Sequence, residues 1–199
     1  MKYISSIYQA LVNRKEKIIP KSEIIEIIKE YNKRFKHSLS IVDAVKYLAR
    51  QHHIKRIFQS YYYINSLDER KGGYCNYEDK ELLFIVLGKL KVKWYIGLNS
   101  ALYLAGKQWQ VPSILQIVNN KFTGEKKIVS LRVRFFKLKD KMFFALEQGK
   151  TTRNNIGYLY SNAAKSHLDM AYLRKTNKLI RNKNTKKYIK YYPKWLSKK

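Results

Sequence analysis

Apolar residues recur at three- and four-residue spacing from the first residues onward: Ile4, Ile7, Tyr8, Leu11 and Val12 share one face of a predicted first helix. Ile18 and Ile19 form a short extended pair before Pro20, and a second helix follows through Ile24, Ile25, Ile28, Tyr31 and Phe35, with Ser22 as its expected N-cap and Glu23 near the positive end of its dipole. A polar turn, KHSL, leads to a third helix. Ser40 and Asp43 stand there at capping-box spacing, although Asp is shorter than the usual Glu or Gln. Ile41, Val45 and Leu48, with Val42 and Ala49, are expected to face inward, leaving Lys46, Tyr47, Arg50 and Gln51 outside.

After His53 the period shortens. IKRIF and YYYI have the length and the β-branched or aromatic content of strands, separated by Gln59 and Ser60. Three helices followed by a two-stranded hairpin is the order of a winged helix-turn-helix domain, in which the third helix enters the major groove and the hairpin touches the flanking backbone. The glycines and clustered charges of SLDERKGGYCNYEDK then interrupt the pattern, so the expected division is a DNA-binding domain over 1–68 and a second domain over 76–199.

The second domain reads as mixed: a helix over 81–90, a strand in KWYIG, and a helix over 99–105 capped by Asn99 or Ser100. Strands are expected in SILQIV, KIVSLRVRFFKL and MFFAL, and a helix over 161–175 with Ala164, His167, Leu168, Ala171 and Tyr172 inward. Leu179, Ile180, Tyr188, Ile189, Tyr192 and Trp195 are spaced to pack one or two further helices, because a disordered basic tail would hold fewer aromatics. The fold class expected is therefore α+β: an N-terminal winged helix-turn-helix, then a mixed α/β domain with a helical C-terminus.

Charge changes this picture from fold to partner. The 199 residues carry 42 Lys and Arg against 14 Asp and Glu, a formal net charge of +28. The excess is +7 over residues 1–70, +10 over 71–170 and +11 over 171–199. An AT-rich genome accounts for plentiful Lys better than for scarce Asp and Glu, and an anionic polymer is the partner that such a field suits; an anionic membrane surface ranks behind it. The lone Cys75 forms no internal disulfide, and no apolar run is long enough to span a bilayer, so a soluble, cytoplasmic protein without membrane partners is expected.

Chemistry is sparse. His37, His52, His53 and His167 are scattered, His52 and His53 read as a helix C-terminus favoured by partial positive charge, and no Cys or His spacing suits a metal. Asp140, Glu147 and Lys150 invite comparison with a metal-dependent nuclease, but Glu147 and Lys150 are not placed on one strand face. No catalytic residue, metal or cofactor is implied. The residues expected to meet duplex DNA are Ser40, Lys46, Tyr47, Arg50 and Gln51 on the third helix and Lys55, Arg56 and Gln59 on the hairpin. Arg can bond two acceptors of guanine and Gln can pair with adenine. Arg132, Arg134 and Lys137 form a candidate secondary phosphate-contacting face. The tyrosines at 61–63 and 188–192 keep an RNA-stacking module open as an alternative, beside the nuclease.

From Trp94 the chain runs WYIGLNSALYLAGKQWQVPSILQIVNNK, and Tyr95, Ile96, Ser100, Ala101, Leu102, Gly106 and Pro112 match a pattern of aromatic strand, Ser-Ala-Leu helix, Gly, Pro and strand. This pattern, with the Leu168-Asp169 pair in a later helix and a preceding winged-helix module, resembles the AbiEi-type abortive-infection (type IV) antitoxins and related winged-helix regulators. The resemblance implies a repressor that binds inverted repeats at its own promoter and opposes a co-encoded nucleotidyltransferase-type toxin.

Overall fold

The structure, a computed structural model, describes residues 2–36, 39–176 and 183–197. It is of mixed α+β class and divides into two compact units, Met1–Val86 and Leu87–Lys199.

In the first unit, helices α1 (Lys2–Val12), α2 (Lys21–Arg34) and α3 (Ile41–Arg50) alternate with β1 (Ile18–Pro20) and are followed by β2 (Ile54–Arg56) and β3 (Tyr61–Ile64). Ile7, Tyr8 and Leu11 of α1, Ile24, Ile27 and Ile28 of α2, and Ala44, Val45 and Leu48 of α3 bury one core, closed by Ile19, Ile54, Tyr62 and Ile64. The three strands pair antiparallel in the order β1-β3-β2.

Several local expectations shift. Helix α2 starts directly after Pro20, so Ser22 lies inside its first turn; the Lys21 N–H donates to the Ser60 carbonyl at 2.7 Å, so the hairpin turn takes one of the four orphan donors at the helix start. Ser40 does occupy the N-cap of α3, but its hydroxyl makes no capping bond, and the short Asp43 carboxylate faces Lys46 at 4.0 Å instead. Val42 is 53% exposed, because the inner arc of α3 runs through Ala44, Val45 and Leu48. Ile57 and Phe58 leave the ladder and are buried in the connection, where Gln59 and Ser60 both take positive φ (50° and 32°) while the Tyr61 N–H donates to the Phe58 carbonyl at 3.0 Å. That is a two-residue turn in left-handed backbone made without glycine or asparagine.

The segment read as an interruption contains α4 (Leu67–Gly72), started by a reciprocal Ser66–Glu69 capping box and stopped by left-handed Gly73. Helix α5 (Asp79–Lys89) follows, and the division into units falls within it.

The second unit holds β4 (Trp94–Ile96), α6 (Leu98–Leu104), β5 (Leu115–Asn119), β6 (Gly124–Ile128), β7 (Leu131–Lys137), β8 (Leu146–Lys150), β9 (Gly157–Ser161), α7 (Ala163–Leu173) and α8 (Lys194–Ser197). The six strands form one mixed sheet, β6-β7-β5-β4-β9-β8, parallel at β5–β7 and β4–β9 and antiparallel elsewhere. Tyr95 and Val118 on its helix-bearing face pack with Leu168 and Ala171 of α7, together with Tyr192 and Leu196.

KIVSLRVRFFKL is not one strand but the end of β6, a turn with Val129 at φ 58°, and β7. MFFAL is not a strand: Asp140–Met142 forms a single 3-10 turn, and Met142 with Phe143 and Phe144 packs into the core before β8 begins. The expected cap of α6 also moves, to Gly97. The Asn99 N–H is taken by the Gln116 side chain of β5 at 2.9 Å, and Ser100 accepts from the Gln116 N–H at 3.0 Å. Leu179 and Ile180 lie outside the described residues, while 183–197 forms two 3-10 turns and α8. No helix among the described residues is long and apolar enough to cross a membrane.

Candidate nucleic-acid interface

Most of the residues expected to meet duplex DNA lie on the outer side of α3. Because Ala44, Val45 and Leu48 point into the core, helical geometry sends Lys46, Arg50 and Gln51 outward, and all three are exposed; Tyr47 is half-buried. Ser40 is exposed at the start of the same helix. The helix ends in a Schellman motif: the His53 N–H donates to the Leu48 carbonyl at 2.9 Å and the His52 N–H to Ala49 at 3.1 Å, with His52 left-handed at φ 55°. This closure turns the chain into β2 and fixes where Arg50 and Gln51 stand relative to the hairpin.

His52 is exposed, but His53 is buried, its ring centroid 4.0 Å from that of Tyr8. Burial, and secondarily the Arg70 charge, lower its pKa to about 4. The expectation that this pair sits at the helix end as positive charge is therefore corrected for His53, which is neutral near pH 7.

The hairpin divides its own basic residues. Arg56 and Gln59 are exposed, whereas Lys55 lies on the opposite strand face from Ile54 and Arg56, and its ammonium meets Asp79 at 3.3 Å. Asp79 thus holds the group expected to meet phosphate. Ser40, Lys46, Arg50, Gln51, Arg56 and Gln59 remain as the exposed set.

The secondary face is weaker than its sequence suggests. Arg132 and Arg134 share a face of β7, but both guanidiniums bond the Glu125 carboxylate of β6 at 2.7 Å, which holds that carboxyl below its usual range. Lys137 is exposed but out of their alternation. Two arginines and one carboxylate leave a single net charge where three cations were expected together.

The other candidates do not converge either. Asp140 is engaged by Lys93 at 2.8 Å and Asn120 at 3.1 Å, Glu147 is exposed on β8, and no group of three His, Cys, Asp or Glu able to hold a metal occurs among the described residues. Tyr62, Tyr63 and Tyr192 are buried, which removes half of the six rings expected to stack bases, while Tyr191 is exposed with one side packed on Phe144 at 4.4 Å.

Sequence reasoning missed a buried polar network in the second unit. Lys165 and Asp169, one helical turn apart on α7 and both 0% exposed, pair at 3.0 Å. Asp169 also accepts from Tyr95 at 2.8 Å and Tyr192 at 2.6 Å, while the ammonium lies 4.4 Å from the Phe144 ring centroid. Burial pushes the Asp169 carboxyl up and the Lys165 amine down, and their mutual contact opposes both shifts. The signal was an i,i+4 Lys-Asp pair on a face otherwise written in Leu and Ala; it displaced His167 and Ala164 from the inward positions expected. Its part is to hold the aromatic C-terminal segment against α7.

No protein-family model matches the chain, and no curated protein matches it.

Proposed function

We propose that the chain is a DNA-binding transcriptional repressor whose first unit acts as a winged helix-turn-helix, with α3 as the recognition helix and the β2–β3 hairpin as a short wing. The observation that carries this reading is the exposed set Lys46, Arg50 and Gln51 on a helix whose other side is fastened to the core, beside exposed Arg56 and Gln59. Supporting it are the element order helix, strand, helix, helix, strand, strand, the sheet order β1-β3-β2, and the net charge of +28.

Arg50 and Gln51 read base edges in the major groove, and Arg56 and the hairpin tip bond the flanking backbone. The wider field speeds encounter and slows escape. The resemblance of the second unit to AbiEi-type antitoxins extends the reading to an autoregulating antitoxin that opposes a nucleotidyltransferase-type toxin.

Fluorescence anisotropy with duplexes from upstream of its own reading frame, against unrelated duplexes, tests the DNA reading. Neutralising about six phosphates costs roughly three decades of affinity between 50 and 200 mM salt. Arg50→Ala is expected to reduce discrimination, and Arg56→Ala to weaken all duplexes alike. Absence of any retention at 50 mM salt removes the proposal. Co-expression with the neighbouring frame tests the antitoxin role, which fails if a toxic neighbour is left unopposed.

A further inference from the structure

Strands β4 and β9 run parallel but share one registered pair, Ile96 with Tyr160, while β9 stays paired to β8 along its whole length from Ser161 back to Gly157. The sheet is therefore joined at one end of these strands and parted at the other. A groove of about 970 Å³ occupies the parted end, within the range of small-molecule sites.

Trp94, Phe143, Leu146 and Leu159 supply its apolar lining, and Gln148 and Lys150 its polar lining. The strand register places Leu146, Gln148 and Lys150 opposite Ser161, Leu159 and Gly157, so an amide and an ammonium follow one another along one face of the hairpin. At the far rim the Lys93–Asp140 pair, braced by Asn120, is internally neutralised. Among the described residues that line the groove, exposed Lys150 is thus the cation without an ion-pair partner. On the other face of the hairpin Gly149 lets the Tyr158 ring lie across the strand, because a Cβ there would fall 2.6 Å from that ring.

An aromatic and aliphatic wall, one amide able to both donate and accept, and one ammonium beyond it suit a planar heterocycle with polar edges that carries an anionic group. We propose that this groove binds a nucleobase bearing a phosphate, either as a free nucleotide or as an unpaired stretch of nucleic acid. The base lies against the apolar wall with its edge on Gln148, and the phosphate pairs with Lys150. The site lies in the second unit and is independent of duplex recognition by α3.

Isothermal titration of the full chain with mononucleotides, with a ten-residue single strand, and with inorganic pyrophosphate tests it. Saturable binding of mononucleotide assigns the free ligand, and binding of the single strand alone assigns the polymer. In either case Lys150→Glu is expected to weaken it by about tenfold or more. Gln148→Leu, a substitution on an exposed strand position, is expected to reduce it and to alter the preference among bases, while Arg50→Ala leaves it unchanged. Pyrophosphate binding as tightly as nucleotide, insensitivity to both groove variants, or no saturable binding by either nucleotide form overturns the proposal.

Discussion

Glu69 in the first unit and Asp169 in the second are both buried carboxylates, 2% and 0% exposed, yet their environments act in opposite directions. Around Glu69, burial pushes the pKa up but is outweighed by the Ser66 N–H at 2.7 Å, the Tyr63 hydroxyl at 2.6 Å and the Asn76 N–H at 2.7 Å, so the charged form is favoured. Around Asp169, burial wins over Lys165 and the two phenols, and the charged form is disfavoured. Each carboxylate has three close partners, so the difference lies in depth: Glu69 is less deeply enclosed and its donors outweigh desolvation, whereas at the more deeply enclosed Asp169 desolvation exceeds what Lys165 and the two phenols return.

The largest expected effect comes from unbalancing the second network. Lys165→Met leaves Asp169 without its cation and should cost about 3–5 kcal/mol in denaturant unfolding. The double variant Lys165→Met/Asp169→Leu should recover much of that loss. A double variant no more stable than the single one would show that the tyrosines, rather than the ion pair, hold the site.

Next is Glu69→Gln, which keeps the shape but replaces one acceptor oxygen with an amide donor that must face either the Ser66 N–H or the Asn76 N–H and Tyr63 hydroxyl. A loss of about 1–3 kcal/mol is expected, confined to the first unit in amide exchange.

The same contrast predicts an acid response. Glu69 has a folded pKa below its ordinary value, so its stabilisation is present at neutral pH and lost as pH falls through the folded value. His53 is lowered from 6.5 to about 4, so between those values the unfolded chain binds a proton that the folded one excludes, and stability falls with pH across that window. Asp169 has the opposite sign: protonation relieves a cost. The first unit should therefore unfold at higher pH than the second. All three tryptophans, Trp94, Trp109 and Trp195, lie in the second unit, so their fluorescence should persist in mild acid after amide protection in the first unit is lost. His53→Leu should flatten the slope between pH 6.5 and 4.

The smallest effect expected is a gain. Gln59 and Ser60 occupy left-handed backbone that Asn-Gly adopts freely, so replacing the pair should add about 1 kcal/mol. If Gln59 contacts DNA, duplex affinity should fall while stability rises.

Legibility followed the range of the interactions. The helices over 2–12, 21–34 and 41–50 and the strands around them were readable because an apolar period is a local property, and burial of Ile7, Leu11, Ile24, Ile28, Val45 and Leu48 follows from it. The outward Arg50 and Gln51 are the complement of that period. The partners of Lys55, Arg132 and Arg134 were not legible, because Asp79 lies 24 residues from Lys55 and Glu125 lies on the strand beside the two arginines. The groove was invisible, since Trp94, Phe143, Gln148 and Leu159 meet only where two strands part.

By itself the chain's order of residues determined its charge, its helical faces, the turn between Phe58 and Tyr61 as a place of reversal, and the α+β class, all consequences of periodicity and of fixed side-chain chemistry. Tertiary structure alone decided which cations stay uncompensated, which carboxylate carries a favoured charge, and where a groove opens, because ion pairing and desolvation depend on distances between residues far apart along the backbone.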